Sequence, residues 1–213
     1  MTKIKIFVFN SFQENTFLVY DETNECIIVD AGCSDENEYN KIDEFISENS
    51  LSLKFIVNTH CHIDHILGNA YLANKYGVES IANKEDLPLI ERSKDMAAAF
   101  GLNVEEPPIP SRLVNEGDEI KFGNSTLLVK HVPGHSPGSI ALYNDNDNDK
   151  FVIVGDVLFK GGIGRTDLPG GSYDTLIASI NDKLFTLNDE VTVYPGHGES
   201  TTIAKEKSDN PFF

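Results

Sequence analysis

Between positions 60 and 65 the chain reads His60-Cys61-His62-Ile63-Asp64-His65, which gathers three of its six histidines and one aspartate into a single loop-length stretch. Imidazole and carboxylate are the donors that divalent zinc, iron and manganese accept. One tetrahedral ion cannot readily use four donors packed this tightly and still keep a position open for chemistry. Two adjacent ions can. His60 and His62, two apart in extended chain, then serve one, and Asp64 and His65, after a turn, serve the other.

Two ions need more ligands than one loop supplies, and the rest of the chain offers them. His135 lies in Pro133-Gly134-His135-Ser136-Pro137-Gly138 and His197 in Tyr194-Pro195-Gly196-His197-Gly198. Glycine and proline on both sides make tight loops that present one side chain at a fixed spot. Asp156 follows the apolar run Phe151-Val152-Ile153-Val154 and Gly155, at the carboxyl end of a buried strand, where open α/β sheets place their sites. His131 is left over and reads as an ordinary strand-end residue.

These motifs, in this order from Asp30 to His197, resemble the metallo-β-lactamase superfamily. The resemblance implies a four-layer αβ/βα sandwich of two mixed β-sheets flanked by helices. It also implies that His60, His62 and His135 bind one metal, that Asp64, His65 and His197 bind the second, and that Asp156 bridges. Asp30, in Val29-Asp30-Ala31-Gly32, matches a structural aspartate near the site and not a ligand. The implied cofactors are two divalent ions, zinc in first place with iron or manganese as alternatives.

The elements that must position these residues are legible in outline. Apolar runs rich in Val, Ile and Phe near 4–9, 16–20, 26–29, 55–57, 126–132, 139–143, 151–154 and 191–194 read as strands. Helical spacing covers Tyr39, Ile42, Phe45 and Ile46, with Ser34 as the expected cap. It recurs in Tyr173, Leu176, Ile177, Ile180 and Leu184, capped by Ser172. Shorter helices are expected over 68–76 and parts of 84–101. The two halves echo each other: a strand ending in Asp30, a helix and a strand lead into His60, and a strand ending in Asp156, a helix and a strand lead into His197. Two such units packed sheet to sheet would converge their strand ends on one site. The proline-rich stretch from Glu105 to Pro110 falls between the halves as a rigid loop.

Three competing motifs fail on chemistry. Gly134-His135-Ser136-Pro137-Gly138 matches the nucleophile elbow of serine hydrolases, but Pro137 lacks the N–H that an oxyanion hole needs. Asp145-Asn146-Asp147-Asn148-Asp149 starts like a calcium loop, yet Lys150 stands where glycine is required. It reads as a hairpin turn. Cys61 points away from its histidine neighbours in extended chain and reads as a packed thiol.

A length of 213 residues suits a single domain, taken here as 1–213. No run approaches the ~20 apolar residues of a membrane helix, so no membrane association is expected. Thirty-four acidic against seventeen basic residues give a formal charge of −17, which repels phosphate backbones and disfavours nucleic acid as a partner. Three cysteines without a CxxC pair, and an amino terminus unlike a secretory signal, point to the cytoplasm.

A water shared by two ions supplies hydroxide near neutrality, with Asp64 and Asp156 orienting it toward a small-molecule carbonyl. A thiolate needs no proton to leave, since its parent thiol has a pKa of about 8.5. No spare histidine or lysine is evident for general acid work, so thioester hydrolysis asks least of this site. Within the superfamily, Gly155-Asp156-Val157-Leu158-Phe159 through Gly164-Arg165, and Gly196-His197-Gly198 with Ser200 and Thr201, resemble the glyoxalase II group, the hydroxyacylglutathione hydrolases. The resemblance places Arg165 where those enzymes contact glutathione, the alternative being a surface salt bridge. Two departures bear on glutathione: no separate carboxy-terminal helical domain is expected, and Asp167 replaces a tyrosine. The runner-up is a mononuclear iron persulfide dioxygenase, which shares the Thr-His-Cys-His-x-Asp-His form and a Gly-Arg-Thr-Asp segment. β-Lactam hydrolysis is disfavoured by the bridging position of Asp156.

Overall fold

Strand runs that are apolar on both faces need cover on both faces, and the computed structural model supplies it. It describes residues 1–102, 105–146 and 149–213. The first half contains β1 (Lys3–Phe9), β2 (Glu14–Tyr20), β3 (Glu25–Val29), α1 (Glu36–Glu48) and β4 (Ser52–Val57). It continues through α2 (Asn69–Tyr76), β5 (Glu79–Ala82), α3 (Leu87–Glu91), α4 (Ser93–Ala99) and β6 (Arg112–Leu113). The second half contains β7 (Glu119–Phe122), β8 (Ser125–His131), β9 (Ile140–Asn144) and β10 (Phe151–Gly155), then a small ribbon of β11 (Leu158–Phe159) and β12 (Gly162–Ile163). It ends with α5 (Tyr173–Ser179), β13 (Thr192–Pro195), β14 (Thr201–Thr202) and α6 (Ile203–Asp209).

One sheet has the order β1-β2-β3-β4-β5-β6 and the other β14-β13-β10-β9-β8-β7. Both are mixed. The parallel pair β3–β4 is crossed by α1 and the parallel pair β10–β13 by α5, so the echo seen in the sequence is a repeated strand–helix–strand unit. Alternation along each strand sorts the core into layers. Ile27, Val29 and Val57 face Val129, Leu142 and Ile153 between the sheets. Cys26, Ile28 and Ile56 turn outward onto Ile42 and Ile46 of α1 and Leu72 of α2, while Val152, Val154 and Val193 turn onto Leu176, Ile180 and Leu184. The result is the expected αβ/βα sandwich. Among the described residues no helix is long and apolar enough to cross a membrane.

Three local expectations need correction or extension. Asp35, not Ser34, caps α1: its carboxylate accepts the Glu38 N–H at 3.0 Å, and Ser34 Oγ instead donates to Glu38 Oε2. A carboxylate suits the positive helix start better than a hydroxyl one residue too early. Ser172 does cap α5, but the helix continues past Ser179 as a π-turn over Ile180–Leu184. The short strands β5, β6, β7, β11, β12 and β14 and the helix α6 lie outside the elements expected from the sequence. The proline-rich 105–110 stretch carries neither helix nor strand. The turn expected over 145–149 includes 147 and 148, which lie outside the described residues.

Candidate metal centre

Every strand-end loop that carries a candidate ligand opens on the same edge of the sandwich. β4 delivers the 60–65 loop, β8 leads to His135, β10 ends beside Asp156, and β13 ends beside His197. Glycine makes two of these approaches feasible. Gly155 adopts φ +53°, with Thr59 where a Cβ would sit, and a Cβ on Gly164 would lie 1.8 Å from the Asp156 carbonyl oxygen.

His60, His62 and His135 form a near-equilateral triangle, with ring centroids 4.8, 4.8 and 4.7 Å apart. His62 Nδ1 lies 2.9 Å from His135 Nε2. Asp64, His65 and His197 form a second group whose donor atoms, like those of the triangle, all lie within 4.8 Å of one another. Asp64 Oδ2 is 3.3 Å from His197 Nε2 and 3.7 Å from His65 Nε2. Asp156 stands between the two: Oδ2 is 3.7 Å from His135 Nε2 and 3.5 Å from His197 Nε2, and Oδ1 is 3.5 Å from His65 Nε2. All seven residues singled out from the sequence as metal-binding therefore meet.

The imidazoles are held from behind, which fixes the nitrogen that faces the site. His135 Nδ1 donates to the Arg165 carbonyl at 2.8 Å and His197 Nδ1 to the Phe12 carbonyl at 3.0 Å. His65 Nδ1 lies 3.0 Å from Asp30 Oδ2. Asp30, His60 and His65 also cluster, but Asp30 is not free to bind an ion. Its oxygens already accept the Thr59 N–H at 2.7 Å and the Thr59 hydroxyl at 2.6 Å as well as His65. Its role is the structural one expected.

The residues fit divalent ions on their own terms. His60 Nε2, His65 Nε2 and Asp156 Oδ1 are buried without a hydrogen-bond partner. Leaving a buried polar group unpaired costs about 1–3 kcal/mol, and these three, spread over both clusters and the residue between them, are donors that bound ions would satisfy. Electrostatics agree. Burial, reinforced by neighbouring imidazoles, holds His60 well below the usual histidine range and His62 down to about 3, and burial lowers His135. Neutral imidazole is the ligating form. Burial would also lower His65, but Asp64, Asp156 and Asp30 outweigh it and raise the group. His197 is raised too: burial would lower it, but its bond to Asp64 and the charges of Asp156 and Asp64 together outweigh burial. Asp64 stays well below the carboxylate range despite burial, through His65 and His197.

Several contributors escaped the sequence. Glu14 is fully buried, with Oε1 3.8 Å from His65 Nδ1, and burial pushes its carboxyl well above the usual range. Asp86 ties two ligand loops together: Oδ2 accepts the Cys61 N–H at 3.0 Å and the Ser136 hydroxyl at 2.8 Å, and Oδ1 accepts the Gly138 N–H at 2.6 Å. Ser136 is thereby a buried structural hydroxyl. Cys61 packs with Ile63, Ile66, Leu67 and Ile90, its thiol pushed well up by burial. His131 ends β8 and bonds the Pro137 carbonyl. Replacing Asp86 with alanine is expected to weaken metal binding by roughly 10–100-fold, chiefly at the His60–His62–His135 triangle, because those loops lose their shared acceptor. Chelator competition on the folded variant checks this.

A two-sheet sandwich whose strand ends focus histidines and carboxylates on one point defines a metal-binding centre. The family model described as the metallo-beta-lactamase superfamily matches residues 10–197, and the chain belongs to that superfamily. It is 39% identical over 211 residues to hydroxyacylglutathione hydrolase GloC of Haemophilus influenzae, covering 98% of this chain and 97% of that protein. The crystal structure of TTHA1623 in a di-iron-bound form superposes with a TM-score of 0.86 at 36% identity, over 98% of this chain and all of that one. That of the BLEG-1 B3 metallo-beta-lactamase superposes at 0.89 and 29% identity, over 99% of both.

Proposed function

We propose that the protein is a dinuclear metal-dependent thioesterase acting on S-acylglutathione or a related small thiol conjugate. His60, His62 and His135 would hold one ion and Asp64, His65 and His197 the other, with Asp156 placed between the two groups. The second cluster carries this reading. A mononuclear iron dioxygenase needs two imidazoles and one carboxylate, whereas Asp64, His65 and His197 add donors for a second ion. Zinc is the favoured metal, with iron or manganese as alternatives; the di-iron form of TTHA1623 supports a pair of ions on this scaffold.

Two divalent ions, when bound, would supply a water that ionises near neutral pH. The chain would do the rest. Asp64 and Asp156 would accept hydrogen bonds from the attacking water and aim it. Hydroxide adds to the thioester carbonyl carbon, the C–S bond breaks, and the thiolate leaves with the electron pair; the products are a carboxylic acid and a thiol. Three buried free cysteines support a reducing cytoplasmic setting, and residues 1–213 act as one domain.

Arg165 borders the same cavity as His62, His135 and Asp156. Its Nε and Nη2 donate to Asp167 at 2.7 and 2.8 Å, and both side chains are exposed. An anionic thiol carrier must compete with that carboxylate for the guanidinium. Asp167→Ala is therefore expected to lower KM for glutathione thioesters a few-fold, within the modest range of exposed pairs, and to leave KM for thioesters of an uncharged thiol unchanged. Steady-state kinetics on both substrates reads this out.

Metal analysis with thiol-release and oxygen-uptake assays tests the central reading. Two metals per chain with thiol release are expected. One iron per chain with oxygen consumption would replace the thioesterase by the dioxygenase.

A further inference from the structure

The cavity over the site is small, about 240 Å³, below the 300–1,000 Å³ of typical ligand pockets, and its two ends differ chemically. On the His135 side stands Arg165, whose carbonyl accepts from that imidazole. On the His197 side stands Phe12, whose carbonyl accepts from His197 Nδ1, and its ring meets Phe100 edge to face at 5.2 Å. Met96, on α4, and Ile63 complete this wall. Phe100 is 54% exposed, an aromatic ring left uncovered beside the site and not buried in a core. Among the described residues the side chains of this wall carry no hydroxyl, amide or charged group, and the cavity's polar side chains, Asp64, Asp156 and His197 among them, stand at the metal centre. A hydroxyl held against the wall, beyond their reach, would lack a partner and bind poorly.

Resting on the thioesterase reading, we propose that Phe12, Ile63, Met96 and Phe100 form the acyl-binding subsite, and that it selects short apolar acyl chains over chains that carry a hydroxyl beyond the α carbon. With Arg165 at the other end facing the thiol carrier, the thioester carbonyl lies across the metal centre between them. The cavity's size sets the limit: a few methylenes fill it, and longer chains must run out past Phe100.

The test uses thioesters of N-acetylcysteamine, an uncharged thiol, with acetyl, butyryl and 3-hydroxybutyryl groups, on the metal-loaded protein. At about 0.8 kcal/mol per buried methylene, kcat/KM is expected to rise roughly tenfold or more from acetyl to butyryl, with the hydroxyacyl ester below butyryl. Phe100→Ala and Met96→Ala are each expected to shrink the butyryl-to-acetyl ratio through KM. A flat chain-length profile, a preference for the hydroxyacyl ester, or a ratio untouched by both variants would overturn the subsite. Binding of the uncleavable S-methyl and S-butyl thioethers of the same thiol, by calorimetry, separates the two readings. If no thioester is cleaved the thioesterase falls, and the subsite then stands only if the butyl analogue binds more tightly than the methyl and loses that advantage in Phe100→Ala.

Discussion

Replacing Asp156 with alanine is expected to reduce thioester turnover on the order of 10³-fold, about 4 kcal/mol of transition-state stabilisation, and to drop the bound metal from two ions toward one or none. The reason is geometric. Asp156 stands between both clusters, with one oxygen 3.5 Å from His65 and the other 3.7 and 3.5 Å from His135 and His197. Removing any single histidine leaves one cluster whole; removing Asp156 takes a donor from each and the negative charge that lets two dications lie close together. Asp156→Asn keeps the shape and loses the charge, so it should fall nearly as far. The fold should persist, because β10 is held by backbone pairing to β9 and β13 and by core side chains before the chain reaches Asp156. Metal content after dialysis, turnover and far-UV circular dichroism together decide the matter. A folded Asp156→Ala protein with two ions and turnover within tenfold of the parent would remove Asp156 from the centre of the mechanism.

What could be read from the chain, and what could not, follows from where the information lies. The ligand set was legible because each donor carries a local signature: dense histidines at 60–65, a glycine–proline frame around His135 and His197, an apolar strand running into Asp156. The two-sheet architecture was legible because Cys26–Val29 and Phe151–Val154 are apolar on both faces, which only an inner strand tolerates. Asp86 had no such signature. Its value comes from accepting hydrogen bonds from Cys61, Ser136 and Gly138, up to 52 residues away, and one acidic residue after Lys84-Glu85 looks like a solvated helix start. Glu14 likewise sits in a strand whose alternation gives no hint that position 14 points at His65. Phe12 and Phe100 meet only through the tertiary fold, and an exposed aromatic reads in isolation as chance. Short pairings such as β6 and β14 fall below the length at which alternation is a signal. The Ser34 expectation failed within one residue, at the scale where capping is decided by which side chain reaches the third N–H.

Stripped of its ions by a chelator, the protein is expected to be most stable near pH 6.5 and to lose stability on both sides. His60, His62 and His135 are kept neutral, chiefly by burial. The unfolded chain protonates each of them below about 6.5, so unfolding takes up protons there and stability falls with pH, for His62 over the whole span from 6.5 to about 3. Each such group contributes at most about 1.4 kcal/mol per pH unit. Glu14 opposes them: burial raises its folded pKa, so its neutral form favours the folded state increasingly as pH drops toward the ordinary carboxylate value. Asp86, which burial also raises, acts in the same sense; that makes two groups against three, and the acid limb still descends. On the other side, His65 and His197 are raised, because Asp64 and its fellow carboxylates outweigh burial. Their contribution is complete below about 6.5 and is lost as pH climbs through their folded values. Reloading with metal should abolish the alkaline limb, since ligation takes the nitrogens that hold those protons, and should steepen the acid limb as protons expel the ions. Urea midpoints across the range about pH 5 to 9, with and without metal, give the comparison. An apo profile that rises or falls steadily through neutrality would mean that the histidines do not carry the opposed charge states their surroundings impose.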